Sequence, residues 1–130
     1  MLTRTQIQRL AQRNHIGMQV QERDYLQHLL LSLLYNRSQA LIFKGGTALR
    51  LVYQSNRYSE DLDFNGPDDA DTLRHLWRDV IAALRDFGIQ AEMRNEWESA
   101  RPVQEPSEAL TGIILADMGE GTKIVLLVSS

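Results

Sequence analysis

The chain contains no cysteine, which excludes disulfides, thiolate metal sites and a cysteine nucleophile. It also lacks any apolar run near the roughly 20 residues that a membrane-spanning helix requires. Its start, MLTRTQIQRLAQRN, is too polar for a secretory signal. These absences suit a cytoplasmic protein with no membrane partner. Internal repeats and low-complexity tracts are missing too, and the three prolines, Pro67, Pro102 and Pro106, fall where elements are expected to break. What remains is ordinary for a globular chain. With 130 residues, 43% of them apolar and 24% charged, it can bury one core, and neither disorder nor a fibrous class is indicated. Residues 1–130 are read as a single domain, with a helical lead-in over 1–37 and an α/β core over 38–130.

Acids are scarce in the first part of the chain. Residues 1–57 carry eight Lys/Arg against Glu22 and Asp24, whereas residues 58–130 carry six against fifteen acids, so +6 and −9 give the net −3. Such a split fits a polyanion-binding face, and equally a solvated helix surface, because the arginines are spread out.

In chain order, Thr3 is placed to cap a helix over Thr3–Arg13 with Ile7, Leu10 and Ala11 at helical spacing, and His15-Ile16-Gly17 breaks it. A second helix is expected from Val20 to Asn36. Its wide stripe of Tyr25, Leu26, Leu29, Leu30, Leu33 and Leu34, broadened by Leu31, implies burial on more than one side. His28 has no second ligand at metal spacing and reads as a packed or half-exposed histidine. Ala40–Phe43 is short and apolar, as a central strand covered on both faces would be. A glycine turn and a helix over Thr47–Gln54 follow, then a strand over Asp61–Phe64. Asp68, Asp69 and Asp71 suit the N-terminus of a helix whose stripe runs from Leu73 through Trp77 to Phe87, with Gly88 past its end. Ile89–Arg94 alternates as a half-exposed strand, Asn95–Ser107 reads as a loop containing Trp97, and Leu110–Ala116 and Thr122–Val128 read as a hairpin turning at 117–121.

The stretch over residues 42–64, IFKGGTALRLVYQSNRYSEDLDF, carries the chemistry. Asp61 and Asp63 are two apart, so on a strand both carboxylates leave one face, their Cα atoms roughly 6.5–7 Å apart. That pair can converge on Mg²⁺, which takes one or two protein carboxylates and leaves other positions for water and phosphate. The backbone N–H groups of Gly45 and Gly46, with the helix N-terminus at Thr47, can receive a phosphate. Alone, a D-x-D pair or a Gly-Gly turn more often means only a tight turn or chance. The stretch is neither a P-loop, since Lys44 precedes the glycines, nor a Rossmann fingerprint.

Phe43-Lys44-Gly45-Gly46-Thr47-Ala48-Leu49, followed by Arg57-Tyr58-Ser59-Glu60-Asp61-Leu62-Asp63-Phe64, resembles the first motif of the AbiEii/AbiGii family. These are nucleotidyltransferase-like toxins of the DNA polymerase β superfamily, paired with antitoxins in abortive-infection systems. Glu22-Arg23-Asp24-Tyr25 ahead of the leucines resembles that family's lead-in. The resemblance implies an α/β (α+β) core with a mixed sheet and helices packed on it. It implies Asp61 and Asp63 as catalytic metal ligands for Mg²⁺ or Mn²⁺, with Gly45, Gly46 and Thr47 at a nucleoside triphosphate. Arg57 is implied as a phosphate contact and Ser59 as support for the loop. The implied acceptor is RNA, tRNA 3′ ends above all, and the implied protein partner is a cognate antitoxin.

Two departures qualify the implied activity. The superfamily places a third acid on a later strand beside the pair, where this chain has Leu127, and Asp117, the nearest carboxylate, falls at the hairpin end. The family's Lys/Arg-rich downstream motifs would follow residue 130, so the core is expected to be incomplete at its C-terminus. The expected function is metal-dependent transfer of a nucleotide to RNA. The alternative is a catalytically impaired relative that binds nucleotide, RNA or protein.

Overall fold

The computed structural model describes residues 2–37, 42–44, 61–66, 69–99 and 109–129. Helix α1 (Arg4–Asn14) begins as its sequence dictates. The Thr3 hydroxyl accepts the Gln6 N–H at 3.2 Å, and the Gln6 side chain accepts the Thr3 N–H at 2.8 Å, a reciprocal cap that satisfies two otherwise orphaned donors. It ends at His15, which adopts the left-handed conformation (φ 57°) and closes the last turn. Helix α2 (Met18–Tyr35) starts two residues earlier than its apolar pattern suggests, because Gly17 occupies the N-cap position without any side-chain cap. Its buried residues, among them Leu26, Leu30, Leu33 and Leu34, are spread widely enough for α2 to pack against α1, a third helix and the sheet.

That third helix, α3 (Ala70–Asp86), is strongly amphipathic. Leu73, Trp77, Val80, Ile81 and Leu84 recur at three and four and are buried, while the Asp69 side chain caps its start through the Asp71 N–H. Phe87 ends the helix and Gly88 follows at φ 84°, a conformation that suits glycine. The Trp77 ring lies edge-on to Phe64, centroids 6.0 Å apart, which makes it a core residue.

The strands are β1 (Ile42–Lys44), β2 (Asp61–Asn65), β3 (Gln90–Ser99), β4 (Ala109–Asp117) and β5 (Thr122–Ser129). They form one mixed sheet in the order β1-β2-β5-β4-β3, in which only β2 and β5 run parallel. One face carries Leu62, Phe64, Ile114, Ala116, Ile124, Leu126 and Val128, all buried in the core with the helices. The opposite face carries Asp61, Asp63, Thr111, Ile113, Leu115, Val125 and Leu127, all partly exposed.

Three expectations need correction. β1 is an edge of the sheet among the described residues, not a central strand, because an apolar run reports covered faces and says nothing of hydrogen-bonding neighbours. Asn95–Ser99 is not loop: β3 continues to Ser99, with register shifts between Met93 and Asn95 and between Glu96 and Glu98 that break the simple alternation. The N-terminal boundary of α2 moves from Val20 to Met18. The helix expected over Thr47–Gln54 and the rest of the expected loop, residues 100–107, lie outside the described residues, as does the Trp97 side chain.

Candidate nucleotidyl-transfer site

β2 alternates as its sequence requires. Leu62 and Phe64 turn into the core, and that fixes Asp61 and Asp63 on the other face, each half-buried. The strand is held on both sides. β1 pairs with it antiparallel, Lys44 opposite Asp63, so the chain enters its Gly45-Gly46 stretch directly from the residue paired with that carboxylate. β5 pairs with it parallel, Val125 opposite Asp61 and Leu127 opposite Asp63. Thr111 of β4 is in turn opposite Leu127, so a cross-sheet row runs Asp63, Leu127, Thr111. The position beside Asp63 is therefore aliphatic, as anticipated for Leu127.

Gly45, Gly46, Thr47, Arg57 and Ser59 lie outside the described residues, and of the expected site residues Asp61 and Asp63 alone are described. The donor set they provide is two carboxylates on one strand face. Among the described residues no cluster of three His, Asp or Glu side chains could hold a metal. Such a pair does not form an all-protein cage. It does fit Mg²⁺ or Mn²⁺, hard cations bound through one or two carboxylates with the remaining positions left to water and phosphate. The histidines do not enter the site. Nδ1 of His28 lies 2.8 Å from the Asp24 carbonyl on α2, and burial pulls its pKa down.

Asp117 has a different task. Its Oδ1 accepts the N–H groups of Gly119 (2.6 Å) and Gly121 (3.2 Å), closing the turn between β4 and β5. The residue that local patterning missed is Glu22. It is 1% exposed, on α2, and its carboxylate reaches across to the same turn. It accepts the Met118 N–H, the Glu120 N–H at 3.1 Å and the Thr122 hydroxyl at 3.0 Å. Burial pushes the Glu22 carboxyl up, opposed by the hydrogen bonds from Met118, Thr122 and Glu120 and reinforced by nearby Asp117. Arg4 of α1 meets Glu120 from outside at 3.4 Å, its side chain lying over Gly119. The lead-in helices thus grip the turn that starts β5, the strand flanking Asp61 and Asp63. In the sequence Glu22 stood out only as an acid next to an apolar stripe and as the first residue of the lead-in resemblance, and neither pointed to this turn.

No helix among the described residues is long and apolar enough to cross a membrane. No curated protein matches the chain. Residues 29–124 match the family described as nucleotidyl transferase AbiEii toxin, type IV TA system; they include β1, β2 with both carboxylates, α3, β3 and β4. With a mixed α/β fold and a match over most of its length, the chain belongs to the AbiEii nucleotidyl transferase toxin family.

Proposed function

We infer that the chain carries a metal-dependent nucleotidyl-transfer site that moves a nucleoside monophosphate from a nucleoside triphosphate to an RNA hydroxyl, with tRNA as the favoured acceptor. The observation that carries this reading is the pair Asp61 and Asp63 on one partly exposed face of β2, inside the family match and clamped between two strands. A divalent cation at these carboxylates, Mg²⁺ or Mn²⁺, would neutralise phosphate charge and lower the pKa of the acceptor hydroxyl. The chain's own residues supply the rest. Asp61 and Asp63 offer oxygen donors at a fixed separation, because their backbone is pinned by β1 and β5. Gly45 and Gly46 offer backbone N–H groups without side chains, Thr47 and Arg57 bind phosphate oxygens, and Ser59 supports the entry into β2. The acceptor oxygen attacks the α-phosphorus and pyrophosphate leaves. A cognate antitoxin, as the family description implies, would restrain this activity.

The test is incubation of the chain with labelled nucleoside triphosphates, Mg²⁺ and total RNA. Label is expected in RNA, and Asp61→Ala or Asp63→Ala is expected to abolish both transfer and Mg²⁺-dependent nucleotide binding. Unchanged nucleotide affinity in those variants would sink the reading. A second reading, a relative that binds nucleotide or RNA without transfer, is favoured by Leu127 opposite Asp63, where a third carboxylate would otherwise help hold the metal. Nucleotide binding without label in RNA would select it.

A further inference from the structure

Residues 2–28 lie outside the family match, and α1 lies wholly within that stretch. From Leu2 to Gln21 there is no Asp or Glu, against Arg4, Arg9 and Arg13. α1 buries Ile7 and Ala11, so at 100° per residue the opposite side presents Thr5, Arg9, Gln12 and Arg13, all of them exposed. Arg9 and Arg13 are one turn apart, about 6 Å along the axis, and form no ion pair among the described residues.

This ridge is held firmly. Besides its cap, α1 is tied by Arg4 to Glu120, and the Asn14 side chain donates to Gln21 of α2 at 2.9 Å, while Glu22 fastens α2 to the same turn. The tie to Glu120 also sets its location. Glu120 precedes β5, and Val125, opposite Asp61, is three residues beyond the start of that strand, roughly 10 Å along it. The start of α1 is therefore at the same end of the sheet as Asp61.

We propose that the exposed ridge of α1 docks the phosphodiester backbone of the RNA acceptor. This rests on the reading of RNA as acceptor given above. Guanidinium groups pair with phosphate oxygens in fork geometry, and amide and hydroxyl side chains supply the accompanying contacts to phosphate and sugar. An acidic protein would meet the same charge, but the ridge offers no apolar or aromatic anchor of the kind that carries protein–protein affinity. α1 packs on α2, on the helix-bearing side of the sheet, whereas Asp61 and Asp63 are on the other face. A twelve-nucleotide strand, roughly 40 Å at helical spacing, is long enough to lie on α1 and pass round this end of the sheet toward the carboxylates.

The experiment compares the whole chain with Arg9→Gln/Arg13→Gln by fluorescence anisotropy, between 50 and 200 mM KCl. The probes are a labelled twelve-nucleotide single-stranded RNA, bulk tRNA and poly-glutamate, and circular dichroism checks that helix content is kept. The double variant is expected to bind both RNAs about 10-fold more weakly, with a salt slope on the single strand lower by about 1.4, two contacts at about 0.7 each. Gln12→Glu is expected to weaken RNA binding to a lesser degree. Poly-glutamate is expected to bind neither protein measurably. RNA affinity and slope unchanged in the double variant, no RNA binding by the parent chain, or an equal loss of poly-glutamate binding would each overturn the proposal. Asp63→Ala separates the two readings. It is expected to keep RNA affinity while losing Mg²⁺-dependent nucleotide binding, so docking and transfer can fail independently.

Discussion

Glu22→Ala removes one carboxylate and strands three donors, the Met118 and Glu120 N–H groups and the Thr122 hydroxyl, at a site that is 1% exposed. A buried donor left unpaired costs about 1–3 kcal/mol. Water entering the vacated space recovers part of that, so about 1 kcal/mol per donor gives a loss of about 3 kcal/mol. At this chain length that corresponds to a fall in Tm of roughly 10 °C. Glu22→Gln keeps one acceptor oxygen and is expected to lose about half as much. Urea unfolding followed by circular dichroism measures both losses, and an alanine variant within about 0.5 kcal/mol of the parent would mean that the turn is held by something else. The pH dependence is a separate check. Burial holds the folded carboxyl above its ordinary value of 4.5. The unfolded chain therefore releases this proton first, and this component of stability falls as pH rises from 4.5 to the folded value, then levels off. Glu22→Gln lacks the component, so the parent's advantage over it should shrink with rising pH across that window. An advantage that grows instead refutes the burial argument.

Other outcomes follow from single contacts. Leu127→Asp puts a third carboxylate opposite Asp63 and should tighten Mn²⁺ binding about 10-fold or more, read by calorimetry or paramagnetic NMR broadening; no change would mean that Leu127 does not face the cation. Gly119→Ala forces a Cβ to within 2.5 Å of the Arg4 side chain at φ 130°, and should cost about 1–2 kcal/mol, partly relieved by Arg4→Ala in a double-mutant cycle. Asp69→Ala removes the α3 cap and should lower Tm at neutral pH. Its carboxyl is held below its usual value by the Thr72 hydroxyl first and the Asp71 N–H next, so the loss should fade as pH drops through the folded pKa and the parent itself loses the benefit.

Local periodicity carried the parts of the fold whose burial is decided within a few residues. The α3 stripe with its stop at Gly88, and the in–out alternation of Leu62 and Phe64 against Asp61 and Asp63, were readable because a single register satisfies the core. The aliphatic neighbour of Asp63 came from the family resemblance instead, since residues 124–128 are apolar on both faces and their pattern fixes no register. The second half of β3 was not readable, because two register shifts interrupt its alternation and Asn95-Glu96-Trp97-Glu98-Ser99 looks like polar loop. Glu22 was invisible for a stronger reason. Its partners are 96 to 100 residues away, and nothing near it in the chain distinguishes a buried clamp from a solvated acid.

The parallel pairing of β2 with β5 also imposes an order in time. Asp61 and Asp63 leave the ribosome about sixty residues before Val125 and Leu127, the strand that must lie beside them. Until residue 129 has emerged, β1 is the one partner β2 has among the described strands, and its other side lacks β5. At about 5–20 residues per second that interval lasts several seconds. The carboxylate pair acquires its final flanking strand after every other described element has been made.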